Sequence, residues 1–293
     1  MEVEKYLEIK EDLYDTIFKN IDDIEIDKAT LRFHYVQFNP NNEPKFDKLI
    51  DILLEHVTHY SLSVSKRDKS NDETYKNKMY REAKKLFRNN VKTGEVGEMI
   101  LWFFLESILK APQVVAKMDL KTNRNDEVKG ADGIHVNITN DDILEIIFGE
   151  SKLYKKLNSA IVDAFKSIEK FFDNKQYKRE YSLITEHFKW LKNEQGIKVL
   201  DFISGKINSD EVKIKIACLI GFDWNEYKKL EDPKERLKLV EEFEELYKNE
   251  ATEIEKSITK KFSSFKYAHY EFDFFFLPFK SVDEIRNNFK NEL

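Results

Sequence analysis

The sequence predicts an α/β fold in which helices flank a mixed central sheet. Segments typical of strands, with alternating or continuous apolar residues, recur along the chain at 31–38, 114–121, 131–138, 143–152, 212–220 and 267–279. Segments with a helical apolar period separate them, at 46–59, 74–109, 153–172, 231–260 and 282–289. Five of the eight glycines lie between positions 94 and 149. Because glycine is favoured where backbones approach closely, this part of the chain is expected to have the most tightly specified geometry.

Composition excludes several classes of protein. The chain has 293 residues, with 49 basic and 55 acidic side chains, giving a net charge of −6. No apolar run approaches the roughly 18 residues needed to cross a bilayer. A single cysteine, Cys218, excludes an internal disulfide framework and a cysteine-based zinc cluster. The first ten residues alternate acidic and apolar side chains, unlike a signal peptide. We therefore expect a soluble cytoplasmic protein.

The basic residues are concentrated in one segment. Residues 66–92 carry ten basic and four acidic side chains, a local charge of +6 in an acidic chain. Such a segment could bind a polyanion, or it could be the solvated face of a helix.

The helical region 74–109 is expected to break near Asn89 and Asn90. Its residues 99–105 are apolar on every side and should be buried.

The strands at 131–138 and 143–152 predict a group of ionisable side chains. If Ile138 lies opposite Leu144 in a hairpin, then Asp132 lies opposite Glu150, and Lys152 follows on the same face. Opposed side chains have Cβ atoms about 4.5–5.5 Å apart. Two carboxylates at that distance repel unless a cation lies between them. Oxygen ligands of this kind suit Mg²⁺ or Mn²⁺.

A third carboxylate is expected from the preceding helix. In the sequence Gly94-Glu95-Val96-Gly97-Glu98, both glutamates and both glycines are three residues apart. A glycine face would let the helix lie close to the sheet. We prefer Glu98 as the inward carboxylate because the buried apolar run follows it directly, and Glu95 remains the alternative.

Phosphodiester hydrolysis is the chemistry that this group of residues could perform. The carboxylates would hold a metal ion, and Lys152 would orient or deprotonate water or stabilise the transition state. Neighbouring phosphates would be held by Lys155, Lys156 and the segment 76–92, which includes Lys84, Lys85 and Arg88. An isolated Glu-x-Lys pattern is common on solvated strand edges. The combination of Asp132 with Glu150 and Lys152 on neighbouring strands, within the glycine-rich region, is what favours a catalytic site.

The same region resembles a known nuclease family. A helix with Glu98, three strands, Asp132 and then Glu150-Ser151-Lys152 resemble the PD-(D/E)xK nuclease core. Residues 93–98, 111–113, 116–118 and 128–136 further resemble the HamA family, the nuclease subunits of Hachiman anti-phage defence. The string Lys-Gly-Ala-Asp-Gly-Ile-His at 129–135 is the most specific part of the resemblance.

The resemblance implies a restriction-endonuclease-like core with N- and C-terminal extensions. We expect an extension at 1–75, a nuclease core at 76–222 with a helical insertion at 176–206, and a second extension at 223–293. It implies a Mg²⁺-dependent deoxyribonuclease that works on DNA in a heterodimer with a HamB-like helicase subunit. Asp132, Glu150 and Lys152 would be catalytic, and Glu98, Asp132 and Glu150 would bind the metal.

Two other interpretations remain open from the sequence. The chain could be a non-catalytic DNA-binding or adaptor subunit of a helicase complex, although intact Asp132, Glu150 and Lys152 argue against this. It could also be a housekeeping repair or restriction nuclease. A helicase gene next to this one would distinguish the defence nuclease from the housekeeping enzyme.

Overall fold

A computed structural model describes residues 3–88, 94–121, 130–139, 143–187, 212–229 and 236–293. The described strands form one six-stranded sheet in the order β1-β2-β6-β5-β4-β3. The strands are β1 (Phe18–Ile26), β2 (Ala29–Val36), β3 (Gly133–Ile138), β4 (Leu144–Tyr154), β5 (Val212–Asp223) and β6 (Glu271–Phe279). The pairs β1–β2 and β3–β4 are antiparallel, whereas β2, β6, β5 and β4 are mutually parallel. This mixed sheet confirms the predicted α/β class.

Helices cover both faces of the sheet. In chain order they are α1 (Phe46–Glu55), α2 (Val57–Ser61), α3 (Val64–Arg67), α4 (Glu73–Lys85), α5 (Glu95–Ser107), α6 (Leu157–Asp173), α7 (Gln176–His187), α8 (Glu226–Lys229), α9 (Arg236–Phe262) and α10 (Val282–Glu292). Apolar residues of α6, α7 and α9 pack on one face, and those of α1, α2, α4, α5 and α10 pack on the other. No described helix has the length and apolar character required to cross a membrane.

The central strands are apolar on both sides because both faces are covered. In β6, eight of the nine residues are buried, and they include the four phenylalanines predicted to form an aromatic strand. Helix α5 is also buried almost all round, as its apolar run at 99–105 predicts. Strands that are buried on both faces read as continuous apolar runs rather than as alternating patterns.

The sheet draws strands from all three predicted segments of the chain. The pair β1–β2 lies in the N-terminal segment and β6 in the C-terminal segment, and β6 is hydrogen-bonded between β2 and β5. Strand β1 was not predicted from the sequence. It carries Asp22, Asp23 and Glu25 at the edge of the sheet, where charged side chains are common because they discourage pairing with another chain.

The prediction of a strand at 114–121 is wrong. The structure has a 3-10 helix at Lys117–Leu120 there, preceded by a loop in which Gln113 forms an isolated bridge to His135. The alternating charges at 117, 119 and 121 resemble a solvated strand face, but these side chains bond to other residues of the protein. Lys117 bonds Glu180, Asp119 accepts from Ser63 and Lys66, and Lys121 bonds Glu95.

Other predicted elements are confirmed with shifted ends. The helix predicted at 46–59 is two helices, α1 and α2, joined at His56. Helix α6 begins at Leu157 rather than at 153, because β4 continues to Tyr154. The predicted break near Asn89 and Asn90 lies outside the described residues, as does most of the insertion predicted at 176–206, of which α7 is described.

Candidate active site

The hairpin of β3 and β4 has the predicted register. Ile138 pairs with Leu144 and Gly133 pairs with Gly149. The Asp132 amide donates to the Gly149 carbonyl oxygen at 2.7 Å, so the strands stay in contact at Asp132. Asp132 does not pair with Glu150 as predicted, because the strand pairing ends at Gly133. This register places Asp132 at the end of β3 that faces the Glu150-Ser151-Lys152 segment of β4.

A close contact between α5 and β4 brings the helix carboxylates to the same end of the sheet. A Cβ atom on Gly97 would lie 3.0 Å from the Leu153 Cγ and 3.3 Å from the Ser151 Oγ. Only glycine fits there without displacing those side chains, so the expected close approach is confirmed at Gly97. A Cβ atom on Gly94 would meet Glu98 of the same helix rather than the sheet. Glu98, the residue after Gly97 in α5, lines the same cavity as Asp132.

These elements surround a polar cleft of about 350 Å³. Its walls come from α2, α5, the 3-10 helix, the turn before β3, and β4. The lining residues are Tyr60, Arg88, Gly94, Glu95, Glu98, Lys117, Met118, Lys121, Gly130, Ala131, Asp132, Ser151 and Lys152. Three of the four predicted catalytic or metal-binding residues, Glu98, Asp132 and Lys152, thus share one cavity.

Asp132 is the acid at the centre of this site. Its Oδ2 accepts hydrogen bonds from the Ser151 amide at 2.7 Å and from the Ser151 hydroxyl at 3.1 Å. Burial raises the pKa of Asp132, although the two bonds from Ser151 and the charges of Lys152 and Lys117 oppose that shift. Ser151, the middle residue of Glu150-Ser151-Lys152, therefore orients the Asp132 carboxylate.

Glu98 is hydrogen-bonded to Tyr60, and the nearby charge of Asp132 affects its pKa. The Tyr60 hydroxyl donates to Glu98 Oε2 at 3.2 Å. Burial raises the pKa of Glu98, and the negative charges of Asp132 and Glu95 add to the increase. Glu95 also lines the cleft, but its carboxylate accepts from the Arg88 amide and from Lys121 Nζ. The geometry thus supports Glu98 as the carboxylate that faces Asp132.

Glu150 and Lys152, both on β4, form an ion pair close to Asp132. Lys152 Nζ lies 2.6 Å from Glu150 Oε1 and 3.5 Å from Asp163 Oδ2 on α6. Burial and the Asp132 charge raise the pKa of Glu150, while Lys152 opposes this. Burial alone would lower the pKa of Lys152, but the Glu150 carboxylate outweighs burial and raises it.

The acids of the cleft suit a divalent cation. Mg²⁺ is commonly held by one or two carboxylates together with waters and substrate phosphates. Glu98 and Asp132 could supply those carboxylates, because both line the cleft and burial raises the pKa of both. Within the described residues, no three His, Cys, Asp or Glu side chains are already grouped as an ion would require. Glu150 is bonded to Lys152 instead.

The residues predicted to bind nucleic acid lie in different places. Arg88 lines the cleft, where its Nε lies 4.0 Å from Glu95 Oε1. Lys84 and Lys85 end α4, three or four residues before Arg88. Lys155 is exposed and pairs with Asp283 at 2.7 Å, and Lys156 is the residue before α6. Of these five residues, the structure therefore brings Arg88 into the cleft.

Sequence reasoning missed several residues of the cleft. Tyr60 lies one residue beyond the helix predicted at 46–59, and Lys121 is the last residue of the strand predicted at 114–121. The buried pair Lys117 and Glu180 lies behind the Asp132 turn, and the two residues are 63 positions apart. The conspicuous signal was Lys117 itself, because it falls within the motif at 116–118, but nothing local pointed to Glu180.

Comparison with protein families identifies the chain. The family described as HamA matches residues 11–293, which is nearly the whole sequence. A search of curated proteins found no match. The family match includes both the cleft residues and the N- and C-terminal strands of the sheet. The chain therefore belongs to the HamA family and is a component of Hachiman anti-phage defence.

Proposed function

We propose that this protein is the nuclease subunit of a two-component defence system and that it hydrolyses DNA in a metal-dependent reaction. The observation that carries the proposal is the convergence of Glu98, Asp132 and Lys152 on one polar cleft, with Glu150 bonded to Lys152. Membership of the HamA family supports it. Burying several acids beside one another costs free energy unless cations compensate their charges, and a bound metal ion would do so.

The carboxylates would hold Mg²⁺ or Mn²⁺ at the cleft. Asp132 and Glu98 are the first ligands that we assign, and Glu150 is the third. The chemistry that this ion supplies when bound is polarisation of a phosphoryl oxygen and activation of water. Ser151 fixes the orientation of Asp132 through two hydrogen bonds, and Tyr60 fixes that of Glu98.

Lys152 would act on the reacting phosphate. Its ammonium group lines the cleft and is held by Glu150 and Asp163. A cation fixed in this way stabilises the negative charge that develops on the phosphoryl oxygens and can orient the attacking water. Arg88 and Lys121 line the same cleft and would contact flanking phosphates, which position the strand without reading its sequence.

A helicase subunit would deliver the substrate. The resemblance to the HamA family implies a HamB-like partner in a heterodimer, and we propose that this partner governs access of DNA to the cleft. The acidic balance of the chain, with a net charge of −6, favours this arrangement, because such a protein would bind DNA weakly by itself.

The test is cleavage of supercoiled plasmid by the full chain, alone and with its helicase subunit, with Mg²⁺, Mn²⁺ or EDTA. We expect cleavage that requires the metal and that Glu150→Ala or Lys152→Ala abolishes. Lys213 and Glu271 provide controls, because they form an ion pair between neighbouring strands of the same sheet, 3.3 Å apart, outside the cleft. Lys213→Ala and Glu271→Ala should cleave at the wild-type rate.

Two outcomes would contradict the proposal. Plasmid that stays intact under every condition would favour the non-catalytic adaptor, and normal cleavage by Glu150→Ala and Lys152→Ala would place the active site elsewhere. Circular dichroism and co-purification of each variant with the helicase subunit establish that a loss of cleavage does not reflect misfolding.

A further inference from the structure

A buried ion pair holds the peptide that precedes Asp132. Lys117 Nζ lies 2.7 Å from both carboxylate oxygens of Glu180. The same ammonium donates to the Ala131 carbonyl oxygen at 2.5 Å, and Glu180 Oε1 accepts from the Ala131 amide at 3.1 Å. Both polar groups of Ala131 are therefore bonded to one ion pair, directly before the central acid of the cleft.

The turn is shaped around Glu180. Gly130 has a φ of +126°, which side chains other than glycine rarely adopt. A Cβ atom at this position would also lie 1.6 Å from Glu180 Oε1. The glycine is thus required both by the backbone conformation and by the carboxylate that occupies the space beside it.

Stability alone is a weak reason for such a pair. Glu180 is 0% exposed and Lys117 is 7% exposed, so both charges have lost most of their hydration. Replacing a buried ion pair with apolar residues of similar volume is often neutral or stabilising. What an apolar pair could not supply is a donor and an acceptor for Ala131, which together fix the backbone that carries Asp132.

We propose that Glu180 and Lys117 are positioning residues that hold the Asp132 carboxylate in the cleft. This inference rests on the proposed nuclease function. The pair connects α7, in the predicted helical insertion, to the active-site turn across 49 residues of sequence. Outer residues that orient metal ligands typically change metal affinity by about 10- to 100-fold when they are mutated.

Two variants test the proposal. Glu180→Gln keeps an oxygen that can accept from Ala131 but removes the charge that anchors Lys117. The double variant Lys117→Met with Glu180→Leu removes the whole pair at nearly constant volume, so that no buried charge is left unpaired. We expect both to weaken Mn²⁺ binding, measured by calorimetry on the full chain, by at least about 10-fold.

Hydrogen exchange supplies a readout that does not depend on metal or catalysis. We expect the Ala131 amide, and the Asp132 amide in the same turn, to exchange at least about 10-fold faster in the double variant, because Ala131 loses both bonding partners there. The increase should be smaller in Glu180→Gln, which keeps an acceptor for the Ala131 amide. Glu106→Gln is the matched control. Glu106 is another fully buried carboxylate that accepts backbone amides, from Glu8 and Gln113, but it does not line the cleft.

The outcomes separate the two proposals. If the double variant folds and its Ala131 and Asp132 amides exchange at wild-type rates, the positioning role is wrong. Equal weakening of Mn²⁺ binding by Glu106→Gln would also overturn it, because the effect would then follow from any loss of stability. If the wild-type chain neither binds Mn²⁺ nor cleaves DNA, the nuclease proposal fails, and the exchange rates alone decide the positioning role.

Discussion

The sheet contains two groups of buried charges that are arranged in opposite ways. Asp273 on β6 is 0% exposed, and its oxygens lie 2.8 Å from Arg32 Nε and 2.6 Å from Lys215 Nζ. Two cations therefore compensate one acid. In the candidate active site, burial raises the pKa of Asp132 and Glu98, which line the cleft, and of Glu150, which pairs with Lys152 beside it. The charge of Asp132 adds to the increase for Glu98 and Glu150.

The difference indicates what each group is for. An acid that serves the fold is stabilised in place by its partners, and removing it should cost stability. Neighbouring acids that raise one another's pKa destabilise the fold when no cation compensates their charges. Their presence therefore indicates a role in function rather than in stability. Stability and activity should therefore separate cleanly between the two groups.

The largest effect is expected at the cleft. Asp132→Asn should lower the rate of metal-dependent plasmid cleavage by about 10³-fold or more, because the variant loses the charge that we assign to metal binding. Its free energy of unfolding should not fall, because burial already disfavours the charged form. Single-turnover cleavage and chemical denaturation measure the two quantities. If Asp132→Asn loses stability but cleaves plasmid at the wild-type rate, Asp132 serves the fold rather than the reaction, and the prediction is wrong.

The second-largest effect is a loss of stability, expected when Asp273 is replaced. Asp273→Asn should lower the free energy of unfolding by about 3 kcal/mol, because Arg32 and Lys215 keep their charges beside a neutral amide. Urea denaturation measures this loss. Cleavage by the folded fraction should be unchanged, and a selective loss of cleavage at full stability would show that Asp273 serves the active site.

The third prediction concerns acid sensitivity in the same structural region. Burial, aided by the charge of Arg32, lowers the pKa of His34 to about 3, and Tyr14 contacts its Nδ1 at 2.6 Å. Below about pH 6.5 the unfolded chain binds a proton that the folded chain does not, so this histidine lowers stability as pH falls towards 3. The loss is about 2 kcal/mol by about pH 5. His34→Gln should flatten the pH dependence of unfolding over this range, and an unchanged slope would contradict the assignment.

The smallest effect is expected for a phosphate contact at the cleft. Arg88→Ala should weaken DNA binding by about 1 kcal/mol at every sequence and reduce the salt slope by about 1. Lys256 on α9 is a suitable control, because it is an exposed cation that pairs with Glu253. Fluorescence anisotropy in the Lys152→Ala background, which we expect to be inactive, together with the proposed helicase subunit, measures the DNA affinity and its salt dependence. An equal change for Lys256→Ala would indicate a nonspecific charge effect.

The sequence was most informative where contacts are local. The register of β3 and β4 follows from a short loop and clear alternation, so the pairing of Gly133–Ile138 with β4 could be predicted. The predicted pairing of Asp132 with Glu150 is not formed, because Asp132 lies beyond β3 and bonds Gly149 and Ser151 instead. The approach of α5 could be predicted as well, because Gly97 removes the side chain that would keep the helix away from Ser151 and Leu153.

The sequence was least informative where partners are distant. Lys117 and Asp119 alternate with apolar residues and so resemble a solvated strand face, yet each has a partner brought close by folding. Glu180 lies on a helix whose pattern carries no sign of its role, and it meets Ala131 only through the tertiary structure. Edge strand β1 was missed because its acidic residues obscure the apolar pattern.

The central claim is that the cleft acids share a divalent cation, and Mn²⁺ titration of the full chain by calorimetry tests it most directly. We predict that the wild-type chain binds Mn²⁺, that Asp132→Asn and Glu98→Gln each weaken binding by at least about 10-fold, and that Asp273→Asn does not. Equal affinity in the wild-type and Asp132→Asn proteins, or no binding by the wild-type chain, would contradict the account.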